Sequence, residues 1–190
     1  MHTPPPPRAA RDPNSDVPVG MGEAKVTGRA TEVLVVHGLG SCIALCLRDP
    51  AARVSGMAHV VLPRVSAAAA AAPVPPALPA KFGDLAVPHL LGLMEREGAR
   101  RERLKIAIVG GASVLRGADR LDIGRENTIA VLTALNDAGL TLADHDIGGS
   151  LGRVCRLYAA DGRLVVCAIG SGERVLTVLG GPSAGKGAAG

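Results

Sequence analysis

Aromatic residues are almost absent from this sequence. Its 190 residues include no tryptophan, one tyrosine and one phenylalanine, whereas 47% are hydrophobic. The core of a folded domain must therefore be built from aliphatic side chains. Because proteins that bind single-stranded nucleic acid stack the bases on aromatic rings, this scarcity largely excludes that mode of recognition.

Long apolar runs are also missing. No segment reaches the roughly 18 apolar residues expected of a membrane-spanning helix, and residues 1–18 lack the apolar stretch of a secretory signal. Lysine and arginine number 21 against 17 aspartate and glutamate, a net charge of +4 that is too small to indicate nucleic acid. We therefore expect a soluble, cytoplasmic protein that neither inserts into a membrane nor binds nucleic acid.

The four cysteines have no spacing typical of a metal site. Cys42, Cys46, Cys155 and Cys167 form no Cys-x-x-Cys pair, and such pairs are a usual signature of structural zinc. A reducing cytoplasm keeps cysteines as thiols. We therefore predict four free thiols, no metal and no cofactor.

Composition separates a central region from three segments of low complexity. Residues 1–18 are rich in proline, alanine and charge, and residues 180–190 contain little that can pack, so we predict a disordered tail at each end. Residues 19–179 are predicted to form a single domain, which carries an alanine- and proline-rich surface loop at 66–80. The pattern contains no exposed apolar seam, which favours a monomer.

Hydrophobic periodicity predicts two helices among several strands. The helices are expected at 84–97, capped by Asp84, and at 125–138. The predicted buried side of the second helix carries Ile129, Leu132 and Leu135. The predicted strands span residues 32–36, 42–49, 54–62, 104–109, 140–146, 154–159 and 164–169. Hairpin-linked strands combined with helices indicate an α/β fold with a mixed β-sheet and helical cover.

One segment places a cysteine after a glycine-rich turn. Cys42 follows the sequence GLGS at 38–41, so its thiol is expected at the mouth of a turn whose amides lower the thiol pKa and stabilise an oxyanion. His59 lies on the next predicted strand, in reach as a general base because neighbouring strands are ~4.8 Å apart. His37, beside the turn, is a rival base. The same pattern also fits a cysteine and a histidine that only pack in a core.

Six ordered motifs make the sequence recognisable. They are GLGSC at 38–42, RDP at 48–50, GMAHVVLP at 56–63, GGA at 110–112, IGREN at 123–127 and DIGGSLGR at 146–153. Together they resemble the CheD family of chemoreceptor glutamine deamidases, over residues 20–169. The resemblance implies a mixed β-sheet sandwich with helical cover, similar to that of toxin-type glutamine deamidases.

The resemblance also implies a reaction and its catalytic residues. The reaction is hydrolytic deamidation of specific glutamine side chains to glutamate in methyl-accepting chemotaxis receptors, with Cys42 as nucleophile and His59 as base. The family further implies a protein partner, a CheC-type phosphatase. Two alternatives stay open: a non-catalytic adaptor that binds such a phosphatase or the receptor, and a thiol peptidase that uses the same two residues.

The sequence departs from the family at one catalytic position. The family commonly has threonine six residues before the cysteine, and this position is Val36 here. Because a backbone carbonyl can orient an imidazole by accepting from a ring N–H, we expect the carbonyl of Val36, or of a neighbour, to take this role. The backbone amides near Gly40 and Ser41 are expected to hold the oxyanion.

Two further motifs are assigned structural roles. The GGA turn lacks the following lysine of a phosphate-binding loop, and we expect it to serve close packing of a strand against a helix. Asn127, in the IGREN motif, is expected to cap or orient the helix that it starts.

Overall fold

The computed structural model describes residues 15–66, 77–113 and 122–181. Within these ranges the chain forms ten β-strands, two α-helices and two short 3-10 helices. The strands are β1 (Ser15–Pro18), β2 (Ala24–Thr27), β3 (Glu32–Leu39), β4 (Ile43–Asp49), β5 (Val54–Val60), β6 (Lys105–Gly110), β7 (Asp144–Ile147), β8 (Arg153–Tyr158), β9 (Arg163–Ala168) and β10 (Glu173–Val178). The α-helices are α1 (Gly83–Arg96) and α2 (Ile123–Asp137), and the 3-10 helices span Pro79–Lys81 and Arg101–Arg103.

The strands form two five-stranded sheets. The first sheet has the order β1-β3-β8-β9-β10, and the second has the order β2-β5-β4-β6-β7. Most neighbours are antiparallel, but β1 runs parallel to β3 and β6 runs parallel to β7. Both sheets are therefore mixed.

The two sheets stack on each other, and the helices cover the second sheet. Strand β4 is buried along its whole length. Ala44 and Cys46 belong to an apolar cluster that includes Leu157 of the first sheet, whereas Ile43 and Leu45 pack in a second cluster with the helices. This alternation follows from the two-residue period of a strand. The predicted mixed β-sheet sandwich with helical cover is confirmed.

Helix α1 packs on the second sheet through the face predicted from the sequence. The large apolar side chains on this buried face are Val87, Leu90, Leu91 and Met94. Gly56 of β5 permits the contact, because a Cβ there would lie 2.6 Å from the sulfur of Met94. The predicted cap is wrong: Phe82 occupies the N-cap position, and Asp84 lies in the first turn, where it accepts from the Val65 amide at 3.3 Å.

The buried face of α2 differs from the prediction. Ile129 and Leu132 are 42% and 37% exposed. The buried residues are Gly124, Asn127, Ala130, Val131 and Leu135. The helix approaches the loop after β6 so closely that a Cβ on Gly124 would lie 2.6 Å from the Gly111 carbonyl oxygen. Small residues make this contact, so the spacing of the large apolar residues was misleading for Ile129 and Leu132, whereas Leu135 is buried as predicted.

Three short strands were not predicted. Strand β1 lies inside the segment 1–18 that was predicted as a disordered tail, and it pairs with β3 from Ser15–Glu32 to Pro18–Val35. Strands β2 and β10 each lie at one edge of a sheet, and neither alternates buried and exposed residues, so hydrophobic alternation did not reveal them. The seven predicted strands are confirmed with shifted ends, and β7 begins at Asp144 rather than at residue 140.

Other segment predictions fall wholly or partly outside the described residues. Residues 1–14, 67–76 and 182–190 are not described, and the end of the predicted loop 66–80 contributes to the 3-10 helix at Pro79–Lys81. The assignment of residues 19–179 to one domain stays a prediction. In the described part of the chain, neither α-helix is long and apolar enough to cross a membrane.

Candidate active site

Cys42 and His59 lie on adjacent strands of the second sheet. Cys42 immediately precedes β4, and His59 is on β5 opposite Ala44. Cys42 and Ala44 are two residues apart, so they face the same side, and Cys42 packs with Ala44 in the cluster between the sheets. Cys42 and His59 are therefore diagonal neighbours on one face, a relation in which Cα atoms are roughly 7–8 Å apart and longer side chains still meet.

The His59 ring is fixed at one nitrogen and free at the other. Its Nδ1 lies 3.3 Å from the carbonyl oxygen of Val19. A carbonyl only accepts, so Nδ1 carries the proton and Nε2 of the neutral ring has its lone pair available. His59 is 4% exposed, and Nε2 has no hydrogen-bond partner among the described residues. A buried, unpartnered base of this kind is suited to taking a proton from a neighbouring group.

The orienting carbonyl belongs to Val19 rather than to Val36. The Val19 amide donates to the Val35 carbonyl at 2.8 Å, which extends the pairing of β1 with β3. Val36 is fully buried in the cluster between the sheets. The rival base His37 is exposed, on the side of β3 away from that cluster. The structure therefore assigns His37 no place beside Cys42.

The backbone of His59 is also anchored. Its amide donates to the Glu23 carbonyl, and its carbonyl accepts from the Gly22 amide, both at 2.9 Å. The turn that includes these two residues follows directly after Val19 in the chain. One short segment, 19–23, thus holds both the ring and the backbone of the histidine.

Burial shapes the electrostatics of the pair. It raises the pKa of the Cys42 thiol, which contradicts the expectation that the glycine turn makes this thiol unusually acidic. Burial also lowers the pKa of His59, and the hydrogen bond to Val19 opposes that shift. Both shifts favour the uncharged forms, a thiol and a neutral imidazole.

The carbonyl groups of the loop around Cys42 accept hydrogen bonds from neighbouring parts of the fold. Gly40 accepts from the Ala112 amide at 2.8 Å, Ser41 accepts from Asn127 Nδ2 at 2.9 Å, and Cys42 accepts from the Gly111 amide at 2.8 Å. The Gly40 amide donates back to Gly38. Among the described residues, no acceptor is bonded to the amides of Ser41 or Cys42. These two amides, and not that of Gly40, are free to bind an oxyanion.

The GGA turn packs closely against helix α2, as the sequence predicted, and also against this loop. Gly110 has a φ of 119°, and a Cβ there would lie 2.1 Å from the Cys42 carbonyl oxygen. A Cβ on Gly111 would meet Thr128 Oγ1 at 2.5 Å. Glycine is thus required at both positions for β6 to approach the cysteine loop and α2.

Asn127 has a role that the sequence did not reveal. Asp122 is the N-cap of α2 and accepts from the Arg125 amide, so the capping role expected of Asn127 is wrong. Asn127 is fully buried and donates from Nδ2 to the carbonyls of Ser41 and Val61, at 2.9 and 3.0 Å. The IGREN motif marked the residue, but only the fold reveals its partners, 86 and 66 residues away.

The RDP motif lies at the far end of β4 and serves the fold. Arg48 donates to the carbonyls of Tyr158 and Ala160 on the first sheet. Asp49 is fully buried and accepts from the Arg103 guanidinium. Burial alone would raise the pKa of Asp49, but hydrogen bonds from Arg103 and from three backbone amides hold it well below its usual range. This charged cluster therefore stabilises the sandwich away from Cys42.

No candidate metal site accompanies the pair in the parts of the chain that are described. There, histidine, cysteine, aspartate and glutamate side chains form no group of three that could hold a metal ion. All four cysteines are free thiols, as predicted. Cys46 and Cys155 approach each other across the two sheets, with their sulfurs 4.0 Å apart.

Comparisons with known proteins point in one direction. A family model described as CheD chemotactic sensory transduction matches residues 62–168. A probable chemoreceptor glutamine deamidase CheD from Symbiobacterium thermophilum is 42% identical over 161 residues, which cover 83% of this chain and 95% of that protein. The chemoreceptor glutamine deamidase CheD of Thermotoga maritima is 38% identical over 157 residues, covering 83% of this chain and 94% of its own.

One solved structure shows a weak likeness. The hypothetical protein YfiH of Bacillus licheniformis is 13% identical, with a TM-score of 0.39, over 75% of this chain and 61% of its own. At that score the likeness bears on neither the fold nor the site. The family match begins at residue 62, after both Cys42 and His59, so the assignment of these two residues rests on the motifs and on the geometry.

Proposed function

This chain belongs to the CheD chemotactic sensory transduction family, and from that premise we propose that Cys42 and His59 carry out its reaction. The function is hydrolytic deamidation of glutamine side chains to glutamate in chemotaxis receptors. The observation that carries the residue assignment is the buried, unpartnered Nε2 of His59, on the same face of the second sheet as the Cys42 thiol.

The first half of the reaction forms a thioester. His59 Nε2 takes the proton from the Cys42 sulfur as that sulfur attacks the glutamine side-chain carbonyl carbon. The carbonyl oxygen becomes an oxyanion, which the free amides of Ser41 and Cys42 bind. The imidazolium then protonates the amide nitrogen, the carbon–nitrogen bond breaks, and ammonia leaves.

The second half returns the enzyme to its starting state. Water attacks the thioester carbon while His59 takes one of its protons, and a second oxyanion forms in the same place. When the carbon–sulfur bond breaks, the product is glutamate and the proton on His59 returns to the Cys42 sulfur. The Val19 carbonyl keeps the ring in the required tautomer and stabilises the imidazolium in both halves. A side-chain hydroxyl at position 36 is therefore not needed.

We further propose that the protein works in the cytoplasm, where the free state of its four cysteines is maintained. The methyl-accepting receptor is its protein substrate. Association with a CheC-type phosphatase and a monomeric state remain predictions from the sequence. If the protein is instead a non-catalytic adaptor, it should bind the receptor without converting glutamine to glutamate.

The test is conversion of glutamine to glutamate in a receptor cytoplasmic fragment, followed by peptide mass spectrometry. We expect conversion with the wild type and none with Cys42→Ala or His59→Ala. Cys167→Ala is the matched control, because this half-buried thiol bonds to the carbonyls of Ala168 and Ser171 rather than facing His59. If the fragment binds but no glutamine changes, the adaptor is correct; a cleaved fragment would indicate the peptidase.

A further inference from the structure

The two free amides of the cysteine loop belong to consecutive peptide groups. The Ser41 N–H shares a peptide plane with the Gly40 carbonyl, and the Cys42 N–H shares one with the Ser41 carbonyl. In a planar trans peptide the N–H and the C=O point in opposite directions, and no cis peptide bond occurs in the described residues. Whatever holds each carbonyl therefore also sets the direction of the amide that follows it.

The two carbonyls are held by different kinds of donor. Gly40 accepts from a backbone amide, that of Ala112, at 2.8 Å. Ser41 accepts from a side chain, Asn127 Nδ2, at 2.9 Å. The direction of the Cys42 N–H is thus controlled by one side chain, which a point mutation can remove. The direction of the Ser41 N–H is controlled by a backbone amide, which a point mutation leaves in place.

Asn127 has little freedom to move. It is fully buried on α2, one turn after Gly124, which lies against the Gly111 carbonyl. Its second Nδ2 hydrogen is used by Val61, two residues beyond His59, at 3.0 Å. Its Oδ1 has no partner among the described residues, and an unsatisfied buried acceptor destabilises the folded state. An apolar side chain would fill the same space without that cost. The two hydrogen bonds that Asn127 donates are therefore what an apolar side chain could not supply.

We propose that Asn127 is a positioning residue that aims the Cys42 N–H at the oxyanion formed during deamidation. The proposal rests on the proposed function, since it presupposes that Cys42 attacks a carbonyl carbon. Asn127 touches neither substrate nor reacting atoms in this account. It acts through the Ser41–Cys42 peptide alone, and the His59 ring keeps its own support from Val19.

Two reactions of Cys42 separate this role from a purely structural one. Alkylation by iodoacetamide requires loss of the thiol proton and access to the sulfur, but it forms no oxyanion on a carbonyl. Deamidation requires these conditions and also the oxyanion amides. A defect confined to the oxyanion site slows deamidation only, whereas a displaced Cys42–His59 pair slows both reactions.

The experiment compares wild type, Asn127→Ala and the matched control Asn136→Ala, which changes an exposed asparagine on the same helix. For Asn127→Ala we expect kcat for deamidation to fall on the order of 100-fold, with unchanged KM and an unchanged rate of Cys42 alkylation. The control should match wild type in all three. If Asn127→Ala does not fold, as judged by thermal unfolding, the same comparison is made on Asn127→Ser, which keeps a small polar side chain.

Two results would overturn the proposal. One is a folded variant whose kcat equals that of wild type, and the other is a parallel loss of deamidation and alkylation. In either case wild-type conversion would leave the proposed function intact. A wild-type protein that converts no receptor glutamine would overturn both proposals.

Discussion

The carbonyl oxygen of Val19 lies 3.3 Å from Nδ1 of His59, although 40 residues separate them in the chain. Val19 continues β1, the strand that pairs with β3, so a segment of the first sheet orients the base on the second sheet. In the proposed mechanism this contact orients His59 without a side-chain hydroxyl, which Val36 does not supply.

Removal of β1 should impair catalysis because it releases Val19. We expect a chain lacking residues 1–18 to deamidate receptor glutamine at least roughly 10-fold more slowly, since the proposed base loses its orientation. A chain lacking residues 1–14 keeps β1 and should match the full-length protein. The measurement is kcat on the receptor fragment. Equal activity of the two truncated chains would show that β1 is not needed to hold the Val19 carbonyl against His59.

The pH dependence should report the buried imidazole. In the proposed mechanism the neutral form of His59 is the active base, and burial lowers its pKa, so activity should persist below the ordinary histidine value of about 6.5. We expect the acidic limb of kcat/KM to have its midpoint below that pH, because kcat/KM reports groups of the free enzyme. His37→Gln should leave the profile unchanged. A midpoint above 6.5 would contradict the lowered pKa of His59.

Gly110→Ala tests the close approach of β6 to the cysteine loop. A Cβ at this position would lie 2.1 Å from the Cys42 carbonyl oxygen, so the loop must move and activity should be lost. Gly170→Ala is the control, since Gly170 also has a positive φ, of 80°, but no atom within 4 Å of an added Cβ. We expect the control to lose about 1 kcal/mol of unfolding free energy and to keep its kcat. An active Gly110→Ala protein would show that the loop tolerates displacement.

Asp49→Asn should destabilise the fold without altering the catalytic pair. The buried carboxylate accepts from Arg103 and from backbone amides, and its loss should lower the free energy of unfolding by about 2–3 kcal/mol at pH 7. Because these bonds lower the pKa of Asp49, the stabilisation exists above the ordinary aspartate value and disappears as the pH falls. The difference in unfolding free energy between wild type and variant, measured by denaturant titration, should therefore become smaller at acidic pH.

The controls for this variant separate stability from catalysis. Asp137→Asn changes an exposed carboxylate and should shift the unfolding free energy little. The rate of Cys42 alkylation in the folded Asp49→Asn protein should equal that of wild type. If the difference in unfolding free energy between wild type and Asp49→Asn stays constant down to pH 3, the ionised Asp49 carboxylate is not the source of the stabilisation.

The sequence predicted what depends on local pattern. The strands around Cys42 and His59 are apolar runs bounded by turns, and the motifs identified both residues and the family. Val19 gave no such signal, and the IGREN motif marked Asn127 without revealing its partners, because both roles depend on residues brought together by the fold. The buried face of α2 was missed for a related reason: it contacts the loop after β6 through Gly124 and helix α1 through Ala130, and small residues contribute little to hydrophobic periodicity.

In the proposed mechanism the Cys42 sulfur forms a thioester with the glutamine side chain of the receptor. Hydroxylamine tests it directly, because it competes with water for a thioester and leaves a glutamyl hydroxamate at the same position. We expect mass spectrometry to find this hydroxamate on the receptor fragment with wild type and not with Cys42→Ala. Glutamate formed by wild type without any hydroxamate, or glutamate formed by Cys42→Ala, would contradict the account.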